Sequence, residues 1–177
     1  MPADLGSGQG GAEEVKYRQA GFSLLEFMVA ASILAVFAGL LLNRLHYYQE
    51  VAEKTNMEAT VKALQSGLRF EMARALMAGQ EIDYQRLARE NPINWLERKP
   101  PNYLGEFRRD AGALARGAWY FDTPNRELVY LPALDGHFVP DSEGQVRIRY
   151  RVELLAGRNS ADVVTVRLRE VEAYTWF

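Results

Sequence analysis

Residues 21–45 read GFSLLEFMVAASILAVFAGLLLNRL, an apolar run broken near its start by one acid, Glu26. As a helix, Phe22–Leu42 covers about 32 Å, close to the roughly 30 Å hydrocarbon core of a bilayer. A carboxylate near the middle of such a helix costs roughly 2.5–3.5 kcal/mol, and less toward the end, where it can reach the headgroups. An acid kept at this depth points to a function, and it calls for a cation.

The flanks of the run suggest its direction. Residues 1–21, MPADLGSGQGGAEEVKYRQAG, are polar and Gly-rich, with Lys16 and Arg18 close to the apolar segment. Beyond the run comes Arg44, then no further Lys or Arg until Lys54. Cytoplasmic flanks carry the excess of basic residues, so residues 1–21 are expected inside and the C-terminal bulk outside. A secretory signal peptide would need a shorter apolar stretch followed by a small-x-small cleavage site. Here the run is longer and is followed by NRLHYYQEV, which offers no such site. An uncleaved signal anchor fits the length but leaves Glu26 unexplained.

Composition narrows the function classes. Of 177 residues, 48% are apolar and 11% aromatic, so the chain beyond Leu42 can build the core of one small domain. With no cysteine, disulfides and thiolate metal sites are excluded. Beyond Leu42 the basic and acidic side chains are equal in number, which is not the basic footprint of a nucleic-acid binder.

Helical periodicity continues past the apolar run. Met57, Val61, Leu64, Leu68, Met72 and Leu76 form one stripe, with Glu58, Lys62, Gln65, Arg69 and Arg74 off it. Gly79 is a natural stop. EIDYQRLAREN reads as a short helix ended by Asn91-Pro92. NWLERKPPNYLGEF reads as a connector, because Pro100-Pro101 breaks regular structure, while Trp95, Leu96 and Tyr103 suggest that it packs on the domain. From Gly117 the period becomes two. WYFD and RELVYL flank a hairpin turn at TPN. QVRIRYRVEL places Val146, Ile148, Tyr150, Val152 and Leu154 on one face. DVVTVRLREV follows across an AGRN turn, with Val164, Val166 and Leu168 inward and Thr165, Arg167 and Arg169 outward.

The expected fold is therefore α+β: a long N-terminal helix, transmembrane in its first half and amphipathic in its second, packed on a four-stranded antiparallel sheet. The expected divisions are a leader at 1–21, a transmembrane or filament-core helix at 22–42 and an amphipathic helix at 43–79. A short helix and Pro-rich connector follow at 80–116, then the sheet at 117–177.

AGFSLLEFMVA resembles the processing site of type IV prepilins and of the related pseudopilins of type II secretion systems. That motif is a Gly, usually a Phe or Met, a small polar residue, aliphatic residues and a Glu in the fifth place after the Gly. Gly21, Phe22, Ser23, Leu24, Leu25 and Glu26 fill those places in order. The resemblance implies that a membrane-embedded prepilin peptidase cuts between Gly21 and Phe22 and methylates the new amine of Phe22. It also implies a filament bundled through the apolar helices. One helical turn separates the new cation at Phe22 from Glu26, within a chain or between neighbours. Opposite charges about 4 Å apart gain about 4 kcal/mol at an effective dielectric near 20, enough to offset the cost of Glu26. A pair made between subunits would tie that gain to the correct axial register, giving Phe22 and Glu26 a role in assembly. Without this context, Glu26 reads as an acid that snorkels to the headgroups.

Three departures favour a minor pilin or pseudopilin over an abundant fibre subunit. The leader is long and carries more acids than bases, the apolar run has no Pro near its end, and no Cys is present for a disulfide loop. NWL, PPNYLG and WYFD…LVY loosely resemble accessory prepilin-like proteins of mannose-sensitive haemagglutinin-type pilus systems. The implied partners are the prepilin peptidase, other pilins or pseudopilins, an inner-membrane assembly platform and membrane lipid. The implied location is the bacterial inner membrane, single-pass with the C-terminal domain periplasmic, and then the pilus or pseudopilus.

Other chemistry finds little support in the sequence. His46 stands beside Tyr47 and Tyr48 just past the run, as in an interfacial aromatic belt, and His137 in LDGHF reads as a turn. Asp135, Asp141 and Glu143 share a loop but lack the dense alternating acids of a calcium loop, so no metal and no cofactor is expected. No Ser-His-Asp order, P-loop, GxSxG or zinc-helix motif occurs, so neither enzymatic activity nor a small-molecule substrate is expected. Arg147, Arg149, Arg151, Arg167 and Arg169 read as a solvated sheet face that resists edge aggregation, not as a nucleic-acid surface. The competing reading is an uncleaved bitopic inner-membrane adaptor with a periplasmic partner-binding domain.

Overall fold

A computed structural model describes residues 23–107, 114–156 and 163–177. The chain forms two compact units that meet in sequence at Leu42 and Asn43. In the first, every described residue is helical from Leu24 onward and exposed. About a dozen large apolar side chains between Leu24 and Leu42 are more than half exposed. Each would gain about 1.5–3 kcal/mol on burial, so this surface is built for lipid or for other helices.

Helix α1 spans Leu24–Met77. In the second unit its stripe Met57, Val61, Leu64 and Leu68 is buried, Met72 is half-buried, and Leu76 is 65% exposed. The stripe thus ends a turn earlier than the periodicity predicts. Gly79 stops the helix at φ 65°, with Gln80 N–H donating to the Ala75 carbonyl across the last turn. Helix α2 (Tyr84–Arg89) is capped by Asp83, which accepts from Arg86 N–H at 2.8 Å. A 3-10 turn at Pro92–Trp95 follows, capped in the same way by Asn91. Trp95, expected to pack on the domain, is buried, and its indole N–H has no acceptor among the described residues.

The sheet is five-stranded and mixed, which corrects the expectation of four antiparallel strands. Its strands are β1 (Tyr103–Phe107), β2 (Ala118–Asp122), β3 (Glu127–Leu131), β4 (Ile148–Ala156) and β5 (Val163–Glu170), in that spatial order. The predicted meander is β2 to β5, paired antiparallel in sequence. The additional strand β1 pairs parallel with β2, and its register shifts between Tyr103 and Glu106. Gly105 sits inside that irregularity at φ 117°, a conformation only glycine adopts freely. A five-residue strand with a central Gly, directly after two prolines, has no legible period. Tertiary hydrogen bonds hold it instead: Asn91 Nδ2 donates to the Tyr103 hydroxyl at 2.7 Å and to Glu106 at 2.9 Å. At the strand's start, Asn102 Nδ2 donates to the Gly117 carbonyl.

One core joins these pieces. Trp119, Phe121, Leu128, Tyr130, Ile148, Tyr150, Val152, Val166 and Leu168 pack with the α1 stripe, Leu87 of α2 and Ile93. The alternation predicted for QVRIRYRVEL holds at Ile148, Tyr150 and Val152, while Leu154 is exposed. Most of the AGRN turn and the Val164 side chain fall outside what is described.

The arginine face is more structured than a solvated stripe. Arg151 bonds Glu127, a carboxylate buried to 3% exposure, and Arg149 lies 3.8 Å from the same group. Arg147 donates to Asp141 at 2.8 Å and to Glu143 at 2.6 Å. Burial pushes Asp141 up, but the hydrogen bonds from Arg147 and from the Gln145 and Glu143 backbone N–H groups outweigh it and hold the carboxyl below its ordinary range. The acids of this loop are engaged by arginines, with Asp135 taken by Arg116 at 2.8 Å.

Candidate functional site

The processing motif begins at Gly21 and Phe22, which lie outside the described residues; Ser23 is the first that is described. Ser23 caps α1: Glu26 N–H donates to Ser23 Oγ at 3.2 Å, and Phe27 N–H to the Ser23 carbonyl at 3.0 Å. Serine followed three places later by glutamate is the capping-box pattern, a signal that the sequence itself carries. It sets the helix start at the motif itself. It also puts the Glu26 charge in the first turn, where the positive end of the helix dipole contributes about 0.3–1 kcal/mol at exposed sites. That is smaller than the membrane cost, so the dipole does not remove the need for a cation. Among the described residues the Glu26 carboxylate has no ion-pair partner.

A second arrangement stands at the start of the globular unit and was not anticipated from sequence. Three residues of one α1 turn, Glu50, Glu53 and Lys54, hold the loop after β3 and Trp176. Glu50 is 4% exposed. Its carboxylate accepts from His137 N–H at 2.9 Å, from His137 Nδ1 at 2.7 Å and from the Trp176 indole at 2.9 Å. A carboxylate only accepts, so the His137 proton on that side is on Nδ1. Glu53 accepts from the Tyr130 hydroxyl at 2.8 Å and from the backbone N–H groups of Ala133 and Leu134. Lys54 Nζ donates to the Trp176 carbonyl at 2.6 Å. His137, read as a turn residue, is also a ligand of the helix. Nothing local in LDGHF or in QEVAEK announces the pairing, because its partners are 87 residues apart.

Burial alone would raise the Glu50 carboxyl. The hydrogen bonds from the His137 ring and backbone and from the Trp176 indole outweigh burial and hold it below its ordinary value near 4.5. A carboxyl lowered by folding stabilises the fold at every pH above its ordinary value and loses that contribution as pH falls through the lowered one. The thermal stability of the full chain in detergent is therefore expected to fall on acidification below about pH 4.5. The weakening should be smaller in Glu50→Gln. Equal acid slopes in the two proteins would remove Glu50 from the account.

The two arrangements differ in kind. The clamp has every acceptor filled by a donor of its own chain, as in a structural joint. The motif end exposes an acid with no ion-pair partner among the described residues, on a helical segment whose side chains from Leu24 to Leu42 are all exposed. Among the described residues, one helix is long and apolar enough to cross a membrane, and it is this one.

Residues 16–42 match the family model described as the prokaryotic N-terminal methylation motif. No curated protein matches the chain, and no solved structure does. The match takes in Gly21, Phe22, Ser23 and Glu26, and it ends where the exposed apolar run ends. Over residues 16–42, then, and at the head of a long apolar N-terminal helix, the chain matches the N-terminal methylation motif of type IV prepilins and pseudopilins.

Proposed function

We propose that the protein is a minor pilin or pseudopilin, processed by prepilin peptidase between Gly21 and Phe22, methylated at Phe22 and assembled through its N-terminal helix. The observation that carries this reading is Glu26, without an ion-pair partner among the described residues, one turn into a capped helix whose apolar side chains from Leu24 to Leu42 are exposed, within the matched motif. Removal of residues 1–21 makes an amine at Phe22, four residues from Glu26. The resulting pair offsets a charge that neither lipid nor the helix dipole accommodates. A subunit reading also gives the bare apolar segment two successive environments, lipid before assembly and neighbouring helices after it. The long leader with its excess of acids and the lack of cysteine support a minor or accessory subunit. The domain then stands on the periplasmic side of the inner membrane, in a type IV pilus or a type II secretion pseudopilus. An accessory role in a mannose-sensitive haemagglutinin-type pilus is the finer form of this proposal.

The test is the mass of the protein's N-terminus in cells with and without the peptidase, for wild type, Gly21→Ala and Glu26→Leu. Expected are a wild-type chain starting at methylated Phe22, a Gly21→Ala chain that stays full-length, and a Glu26→Leu chain that is cut normally but enters filaments poorly. An intact leader on wild-type protein from its native host would instead favour the uncleaved adaptor.

A further inference from the structure

The turn between β2 and β3 carries an arginine where its backbone suits another residue. Arg126 sits at φ 55°, in the left-handed region that glycine and asparagine enter readily and long side chains rarely do. The turn is tied down on both sides. Asp122 accepts from the Asn125 backbone N–H at 3.3 Å and from Asn125 Nδ2 at 2.8 Å. Thr123 donates to the Phe107 carbonyl through its N–H and its hydroxyl, at 3.0 and 2.9 Å. The Arg126 side chain adds nothing to this arrangement: it is exposed and has no hydrogen bond or ion pair among the described residues. A strained backbone held in place with no structural return is a pointer to function.

Arg126 lines a cleft of about 440 Å³ between this turn, α2 and β4. Arg89 from the last turn of α2 and Arg151 of β4 line it too, and among the described residues it holds no acid. Arg89 is exposed and, like Arg126, has no side-chain partner among the described residues. Arg151 is held by Glu127, but Arg149 lies 3.8 Å from the same carboxylate and shares it. The acids adjoining in sequence are used elsewhere, Glu90 by Arg86 at 2.9 Å and Asp122 by Asn125. Guanidinium groups gathered around one cleft without acids call for an anion, and each takes a carboxylate in a planar, two-point contact. Ala88, Val152 and Leu154 give the cleft an apolar wall beside its cations. No aromatic ring lines it, so it lacks the platform on which nucleic-acid binders stack bases. Cations beside an aliphatic wall suit a polypeptide with acidic and apolar side chains.

We propose that Arg89, Arg126 and Arg151 form a binding site for an acidic segment of a partner protein, its carboxylates on the guanidinium groups and an apolar side chain between them on Val152 and Leu154. Arg126 keeps its unfavourable backbone because a fixed turn holds its charge at the cleft. The site lies wholly within the globular unit and does not depend on how the N-terminus is processed.

The test titrates full-length protein in detergent into a fluorescein-labelled hexapeptide of alternating glutamate and leucine, read by anisotropy. Saturable binding is expected, with Arg126→Gly and Arg89→Gln each weakening it about tenfold or more. Arg69→Gln removes an exposed arginine that has no partner among the described residues and lies outside the cleft; binding should stay within about twofold. Arg126→Gly should also hold or raise the thermal midpoint, because glycine relieves the left-handed backbone. Several results overturn the site: unchanged binding in Arg126→Gly, equal weakening in Arg69→Gln, or no saturation at millimolar peptide. Equal affinity for the same peptide with glutamine in place of glutamate means apolar capture alone, and overturns it too. A single-stranded oligonucleotide of equal charge that binds more tightly, and is weakened by the same variants, assigns the cleft to nucleic acid instead. A midpoint lowered by Arg126→Gly shows that the arginine serves the turn itself, which also overturns the proposal.

Discussion

Trp176→Ala is expected to lower the stability of the globular unit by about 3–5 kcal/mol, the range for removing a buried large aromatic side chain. Trp176 is 1% exposed. Two hydrogen bonds hold it, its indole donating to Glu50 and its carbonyl accepting from Lys54, and its neighbours Thr175 and Phe177 make the backbone bonds of the bridge that pairs it with Phe138. The ring also packs edge-on against Phe138 at 5.6 Å. Alanine leaves a cavity and removes one of three donors from a buried carboxylate, and the second loss adds to the first. Trp176→Phe separates them, since it keeps most of the ring and loses only the N–H, at about 1–3 kcal/mol. Thermal unfolding of the full chain in detergent reads both variants. A midpoint shift under about 2 °C for Trp176→Ala would mean that Trp176 is not part of the core.

Gly67→Ala is the second large effect, and its sign opposes the usual one. In a helix interior, glycine to alanine gains about 1 kcal/mol. At position 67 the new Cβ would sit 2.8 Å from the Trp95 carbonyl oxygen and 3.0 Å from the Trp95 Cβ. The carbonyl belongs to the 3-10 turn, whose backbone cannot rotate aside as a side-chain tip would. Overpacking of this kind costs about 1–3 kcal/mol and should exceed the helical gain. The neighbouring Ser66→Ala is the control: Ser66 is exposed and bonds only its own helix, so it should be neutral or slightly stabilising. If Gly67→Ala is as stable as wild type, the 3-10 turn does not press on α1 as described.

Both predictions turn on contacts across large sequence separations, and this divides what was legible from what was not. The stripe Met57–Leu68 could be read directly, because four-residue spacing is a local property and burial followed it. The meander β2 to β5 could be read for the same reason: period two persists along WYFD, RELVYL and RIRYRVEL, and a strand with one wet face needs no more information than that. Strand β1 could not be read. YLGEF is too short to show a period, Gly105 weakens it as a strand, and it exists because Asn91, Asn102 and the edge of β2 are there to pair with it. The arginines of β4 looked solvated because their partners, Glu127, Asp141 and Glu172, lie on other elements.

The motif end behaves differently from the rest. Ser23, Glu26 and the apolar run act through neighbours one turn away or through the surrounding medium, so their chemistry is encoded within a few residues. By itself, the sequence determined the membrane-length helix, the place of its one acid and the matched motif around it, because helix rise, hydropathy and capping are local quantities. Only the tertiary structure decided that Glu50 is sealed under His137 and Trp176, that Arg89, Arg126 and Arg151 line one cleft, and that a fifth strand runs parallel at the edge. Those features depend on which distant surfaces the buried core brings together, and no short stretch of chain carries that information.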